Sequence, residues 1–138
     1  MSQRPEQGVP PAILIVDDEV EFRNMLSRIL NARGYTTVAA AGAQAALSAI
    51  DKRKFDVIVS DICMPGMDGI SFVRAVREVD ADTPVIFLTG SPSLETAREA
   101  VELGAFRYLV KPLNKAELEM TVARALASRQ LAVLKREA

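Results

Sequence analysis

The chain has 138 residues, 49% apolar and 25% charged, which suits one domain with a sizeable core and excludes a disordered protein. Its 17 basic and 18 acidic residues leave a net charge of −1, so it has no general attraction to nucleic acid or anionic membranes. The lack of histidine excludes a Ser-His-Asp triad, a Cys-His pair and a histidine-ligated zinc site, and the single cysteine, Cys63, excludes an intrachain disulfide.

The first eleven residues, 1–11, have no apolar stretch and contain three prolines, so we predict a disordered leader and not a signal peptide. No apolar run approaches the ~20 residues that span a bilayer. We therefore expect a cytoplasmic protein that neither enters a membrane nor binds nucleic acid directly through this domain.

Five short apolar segments predict β-strands. The first, third and fourth are nearly continuous in Ile, Leu and Val, as in strands buried on both faces of a parallel sheet. The predicted strands are Ala12–Val16, Thr36–Ala40, Asp56–Ser60, Pro84–Leu88 and Phe106–Val110.

Longer segments with apolar residues at helical spacing follow each strand. They are Glu19–Arg33, Ala43–Arg53, Ile70–Val79, Ser93–Leu103 and a fifth helix from Asn114. We expect Gly34 and Gly104 to end the first and fourth helices, and Asn114 to cap the fifth. Strand-helix alternation repeated five times predicts an α/β fold with a doubly wound parallel sheet and right-handed crossovers.

Polar side chains stand where four of these strands end. Asp17 and Asp18 follow the first strand, Asp61 the third, Thr89 the fourth and Lys111 the fifth. Because parallel strands end at one edge of the sheet, we expect these five side chains to line one crevice.

The charges in this crevice predict its chemistry. Two carboxylates ~4 Å apart repel by ~4 kcal/mol at an effective dielectric constant of ~20, so three acids need protons or a cation. An all-oxygen set favours a hard divalent ion, above all Mg²⁺. Lys111 and the Thr89 hydroxyl suit an incoming phosphoryl group, and the Asp61 carboxylate is the best-placed nucleophile to form an acyl phosphate.

Each residue alone has a simpler explanation. The Asp17-Asp18 pair could cap a helix, Thr89 could belong to a turn, Lys111 could be a solvated charge and Cys63 could be a small hydrophobe. Their joint occurrence in strand order favours one site.

The motifs around these residues resemble the receiver domain of two-component response regulators, which has the chemotaxis-regulator fold. They are Val16-Asp17-Asp18-Glu19, Ser60-Asp61-Ile62-Cys63-Met64-Pro65-Gly66-Met67-Asp68-Gly69, Leu88-Thr89-Gly90 and Val110-Lys111-Pro112. The resemblance covers about residues 12–127. It implies a five-stranded, flavodoxin-like (βα)5 fold in three α/β/α layers, with strand order 2-1-3-4-5.

The resemblance also implies a metal site and a phosphoacceptor. Asp61 would accept the phosphoryl group. Asp18, Asp61 and the backbone carbonyl of Cys63 would bind Mg²⁺ or Mn²⁺ directly, and Asp17 would act through a water molecule. Cys63 and Ser91 stand at the two positions that tune phosphoryl lifetime in the family.

Three further residues have roles that the resemblance implies. Thr89 would hydrogen-bond the phosphoryl oxygens and Lys111 would pair with them. Tyr108 would be the switching aromatic, coupled to Thr89, and the Lys111-Pro112 peptide would be cis.

These assignments predict a phosphorylation-dependent signalling switch and not a metabolic enzyme. The donor would be a phosphohistidine of a sensor histidine kinase or phosphotransfer protein, or a small phosphodonor, because this chain has no histidine. The change would pass through the fourth helix, fifth strand and fifth helix, and slow self-dephosphorylation would reset it.

The tail extends the fifth helix beyond the expected end near Ala127. Residues 128–138 lack Gly and Pro, and Ala127, Leu131, Leu134 and Ala138 have coiled-coil spacing. We predict a linker helix to a missing C-terminal effector domain; a frayed helical end is the alternative. A homodimer through the fourth helix–fifth strand–fifth helix face, or through the C-terminal helix, stays open.

Two other functions remain open from the residues. A Mg²⁺-dependent aspartyl phosphatase normally has a second acid close after its nucleophile, where this chain has Cys63. A flavodoxin-like nucleotide or flavin binder normally has a Gly-rich phosphate loop after the first strand, where this chain has acids.

Overall fold

A computed structural model describes residues 8–137, so residues 1–7 of the predicted leader lie outside the described part. Five parallel strands form one sheet in the order β2-β1-β3-β4-β5, which confirms the predicted fold class and strand order. The strands are β1 Ala12–Val16, β2 Thr36–Ala40, β3 Val57–Asp61, β4 Val85–Thr89 and β5 Arg107–Val110. The helices are α1 Val20–Ala32, α2 Ala43–Lys52, α3 Gly69–Val79, α4 Leu94–Glu102 and α5 Lys115–Glu137.

The two faces of the sheet bury separate apolar cores. Alternate residues of each central strand point to opposite faces, as the pleat requires, so that Ile13 and Leu14 belong to different cores. Helices α2, α3 and α4 cover one face, and α1 and α5 cover the other. This burial on both faces is why the central strands are almost uninterrupted runs of Ile, Leu and Val.

Strands β3 and β4 end one residue later than the sequence predicted. Asp61 pairs with Leu88, and Thr89 pairs with Val110, so both polar residues belong to the ladder and do not start the following loop. The apolar pattern stops at the last core residue, whereas backbone hydrogen bonding continues through the polar residue. Asp61 and Thr89 therefore sit on rigid strand backbone.

Two helices end as their glycines predicted. In α1 the Gly34 N–H donates to Asn31 O (2.9 Å) and the Tyr35 N–H to Leu30 O (3.3 Å), which is a Schellman motif. The same pair of bonds ends α4 around Gly104. Both glycines have positive φ, a conformation that costs other residues more.

Helix α5 continues to Glu137, and its last turns reach the edge of the sheet where the strands begin, opposite the crevice. Its Arg129 Nε lies 3.5 Å from Asp56 Oδ1, and its Arg136 Nη2 lies 2.9 Å from Asp82 Oδ2. Between this part of α5 and the ends of α2 and α3 is a cleft of about 510 Å³ with a floor that includes Phe55. The tail is thus attached to the domain that it extends.

Within residues 8–137, no helix is both long and apolar enough to span a membrane. A cytoplasmic location stays a prediction.

Candidate functional site

The carboxyl ends of the strands bring the predicted acids together. Asp17 follows β1, Asp61 ends β3, and each is at least 95% buried, whereas Asp18 is exposed. One carboxylate oxygen from each of Asp17, Asp18 and Asp61 lies within 4.8 Å of the others. The expected cluster of three carboxylates is therefore present in the fold.

Lys111 reaches this cluster from the end of β5. Its Nζ is 3.1 Å from Asp17 Oδ2, 3.5 Å from Asp61 Oδ2 and 3.7 Å from Glu19 Oε1. The Lys111-Pro112 peptide that follows is cis, as the resemblance implied. One ammonium group thus faces several carboxylates, and the cluster keeps an excess of negative charge.

Backbone groups orient both buried carboxylates. Asp17 Oδ1 accepts a hydrogen bond from the Glu19 N–H (2.8 Å), and Asp61 Oδ1 accepts one from the Ile62 N–H (2.8 Å). In each residue the other oxygen, Oδ2, faces Lys111. The acids are therefore held in place before any ligand arrives.

The pKa values of two groups are displaced. Burial raises the pKa of Asp61 above its usual value; the charge of Lys111 opposes this and that of Asp17 adds to it. Burial alone would lower the pKa of Lys111, but its hydrogen bond to Asp17 and the charges of Asp17 and Asp61 outweigh burial and raise it. The contacts of Lys111 therefore stabilise its charged form. The positive charge near Asp61 does not fully offset the cost of burying its ionised carboxylate.

This donor set suits a hard divalent cation. Three carboxylates lie close together, one of them exposed, and Asp61 is short of compensating positive charge. Carboxylate oxygens with access to water are the ligands that Mg²⁺ and Mn²⁺ prefer. Cys63 lies two residues beyond Asp61 and is exposed, and the role of its carbonyl stays a prediction.

Thr89 is completely buried at the end of β4. Its Oγ1 accepts a hydrogen bond from the Ser91 N–H (3.0 Å), which leaves the hydroxyl proton free for another acceptor. The neighbouring Gly90 is exposed.

Tyr108 lies in β5 opposite Phe87, two pairs before Thr89 and Val110. Its hydroxyl is 2.7 Å from Thr96 Oγ1 and accepts from the Ser93 N–H (3.1 Å) at the start of α4. The ring is partly buried against the core beneath α2, α3 and α4. Tyr108 therefore links β5 to α4, and its coupling to Thr89 stays a prediction.

Three residues of the site have roles that were not predicted from the sequence. A Cβ on Gly69 would lie 2.0 Å from the backbone oxygen of Asp61, so only glycine fits there. The Phe22 ring lies under the Lys111 ammonium, and Glu19 pairs with the same ammonium. The two contacts of Lys111 join residues distant in sequence, whereas Gly69 lies in the same motif as Asp61.

Comparison with known proteins gives the family. Residues 13–123 match the family model described as the response regulator receiver domain. The chain is 42% identical over 125 residues to the regulatory protein AtoC of Escherichia coli, covering 91% of this chain and 26% of AtoC. It is 35% identical over 114 residues to sporulation initiation phosphotransferase F of Bacillus subtilis, covering 83% of this chain and 92% of that protein.

Solved structures give the same result. The chemotaxis protein CheY4 of Vibrio cholerae superposes with a TM-score of 0.82 at 40% identity, covering 86% of this chain and all of CheY4. NtrX of Brucella abortus superposes with a TM-score of 0.84 at 33% identity, covering 94% of this chain and 29% of NtrX. The chain thus spans about a quarter of the length of AtoC, the first of these relatives. It belongs to the response regulator receiver domain family and is a signalling module, not a metabolic enzyme.

Proposed function

We propose that this receiver domain is a switch controlled by phosphorylation of Asp61. The observation that carries the proposal is the position of the Asp61 carboxylate at the end of β3, buried, beside Asp17 and 3.5 Å from Lys111. A carboxylate nucleophile that receives an anionic phosphoryl group needs nearby positive charge. Lys111 supplies one such charge.

The transfer is a displacement at phosphorus. An Asp61 carboxylate oxygen forms a bond to the phosphorus atom of a phosphohistidine on a sensor kinase or phosphotransfer protein. The P–N bond breaks, and its electron pair leaves with the imidazole of the partner. Lys111 and the Thr89 hydroxyl bind the phosphoryl oxygens, and water later hydrolyses the acyl phosphate slowly.

Asp18, Asp61 and the Cys63 carbonyl would hold Mg²⁺ or Mn²⁺, with Asp17 acting through a water molecule. The ion supplies charge neutralisation for the phosphoryl oxygens. The fit rests on the three carboxylate oxygens within 4.8 Å and on the raised pKa of Asp61. The Ile62 N–H orients the Asp61 carboxylate, and the carboxylates of Asp17 and Asp61 position the Lys111 ammonium.

The proposed output passes through α4, β5 and α5. Thr89 moves toward the phosphoryl group, and Tyr108 then gives up its hydrogen bonds to Ser93 and Thr96 and turns inward. Because those bonds hold the start of α4, their loss would shift that helix. The shift would change the surroundings of three exposed apolar side chains on this face, Val101 of α4, Val110 of β5 and Met120 of α5.

Residues 128–138 would then act as a linker to an effector domain in a longer protein. AtoC and NtrX are longer chains of which this domain matches about a quarter. The exposed Leu131 and Leu134 of α5 support pairing of that helix with a second copy, and the α4–β5–α5 face is the alternative dimer surface.

The test is labelling with acetyl phosphate and with phosphoramidate, whose P–N bond mimics phosphohistidine. With Mg²⁺, we expect one phosphoryl group by intact mass in the wild type and none in Asp61→Asn. Asp68→Asn is the matched control, because Asp68 is an exposed acid nearby whose capping bond to the Ser71 N–H an asparagine can keep.

Metal binding is measured separately from labelling. Mg²⁺ should raise the Tm of the wild type, and this increase should be lost in Asp18→Asn. Labelling of Asp61→Asn at another residue, or an unlabelled wild type, would overturn the assignment.

A further inference from the structure

The Lys111 ammonium lies against an aromatic ring as well as against carboxylates. Its Nζ lies 4.1 Å from the centroid of the Phe22 ring. This is well inside the ~6 Å at which an aromatic face attracts a cation. The ammonium therefore lies between the ring on one side and the carboxylates of Asp17 and Asp61 on the other.

The Phe22 ring also packs against the apolar core. It projects from α1, is partly buried, and packs against the core between the sheet and helices α1 and α5. Its neighbour Arg23 donates from Nη1 to the Asp17 carbonyl oxygen (2.7 Å), which joins the first turns of α1 to the site. The helix that carries the ring is thus tied to the backbone of the site.

The contacts of Lys111 divide into two kinds under the proposed function. Asp17 and Asp61 would lose part of their contact with the ammonium when the metal ion and the phosphoryl group bind. The ring neither ionises nor binds metal, so its contact with Nζ persists through the reaction. A side chain of similar volume without a π-face would fill the same space but would not attract the ammonium.

We propose that Phe22 is a positioning residue that holds the Lys111 ammonium where it meets the incoming phosphoryl group. This inference rests on the proposed function of Asp61. It assigns Phe22 no contact with the phosphoryl group, because it acts only through Lys111.

The test compares three variants of the chain. Phe22→Leu removes the π-face, and Phe22→Tyr restores it. Phe106→Leu is the matched control, since Phe106 packs in the same core but stacks with Arg107, 4.5 Å from the ring centroid. The two readouts are the NMR shift of the Lys111 ε-methylene protons, which the Phe22 ring current moves upfield, and the rate of labelling by acetyl phosphate with Mg²⁺.

In Phe22→Leu we expect the upfield shift to disappear and labelling to slow by about threefold to fivefold, the size of one partly exposed cation–π contact. Phe22→Tyr should recover both, and Phe106→Leu should change neither. Wild-type rate in Phe22→Leu, equal slowing in Phe106→Leu, or no upfield shift in the wild type would overturn the inference. If the wild type takes no label, the proposed function fails, while the methylene shift still decides whether the ring holds the ammonium.

Discussion

The guanidinium of Arg129 lies 3.5 Å from the carboxylate of Asp56, on the opposite edge of the sheet from Asp61. The other oxygen of Asp56 accepts the Ala12 N–H (2.8 Å), and Arg129 also donates to Thr83 Oγ1 (3.3 Å). One ion pair thus joins the starts of β1 and β3 to α5. It lies two residues beyond Ala127, where we expected the receiver domain to end.

We predict that Arg129→Gln loosens the end of α5. The variant should lose about 0.5–1 kcal/mol of unfolding free energy, the range for a partly exposed ion pair. Backbone amides of residues 130–136 should exchange hydrogen faster than in the wild type, because this end of the helix opens locally. Urea unfolding and hydrogen exchange measure the two effects.

Arg124→Gln is the control, since Arg124 is exposed on the same helix. It should change neither the unfolding free energy nor the exchange of residues 130–136. Equal exchange in Arg129→Gln and the wild type would show that the contacts of Arg129 do not hold the tail.

Asp80 gives a prediction about pH. Burial alone would raise the pKa of Asp80, but hydrogen bonds from the Thr83 hydroxyl and from the N–H groups of Asp82 and Thr83 outweigh it and hold the pKa below the usual 3.8. Folding therefore favours the ionised form. The resulting stability is present above pH 3.8 and is lost as the pH falls through the lower folded-state pKa.

Asp80→Asn should accordingly be less stable than the wild type near neutral pH, and the difference should shrink below pH 3.8. Urea unfolding at several pH values measures it. In a double-mutant cycle with Thr83→Val, the coupling should be larger at neutral pH than in acid. A coupling that does not vary with pH would contradict this account.

Much of the fold and site was predictable because it depends on local patterns. Apolar runs and helical periodicity predicted ten elements, and parallel strands must end together, so Asp17, Asp61 and Lys111 were expected at one edge. The roles of Gly34 and Gly104 were predictable because the positive φ at such a helix end is a local requirement that glycine meets most easily.

The remaining features depend on contacts across the fold. Nothing near Arg129 in the sequence indicates that its guanidinium pairs with Asp56, which lies 73 positions earlier in the chain. Phe22 has the spacing of an ordinary core residue on α1, and only the structure places Lys111 over its ring. Gly69 stands between the predicted third strand and third helix, and only the structure shows that it is buried against Asp61.

We predict that Gly69→Ala damages both the fold and the site. The added Cβ would meet the Asp61 backbone oxygen at 2.0 Å and Ile62 Cα at 2.8 Å, and these backbone atoms cannot rotate away. The loop after β3 must shift, breaking the bond from the Gly69 N–H to Ile62 O (2.7 Å), so we expect a loss of about 3 kcal/mol or more in urea unfolding. Gly90→Ala is the control, because the nearest atom to its Cβ would be the flexible Lys111 Cδ at 4.0 Å, and its stability should change little. Equal stability of the two variants would mean that the loop yields freely and does not hold Asp61 in place.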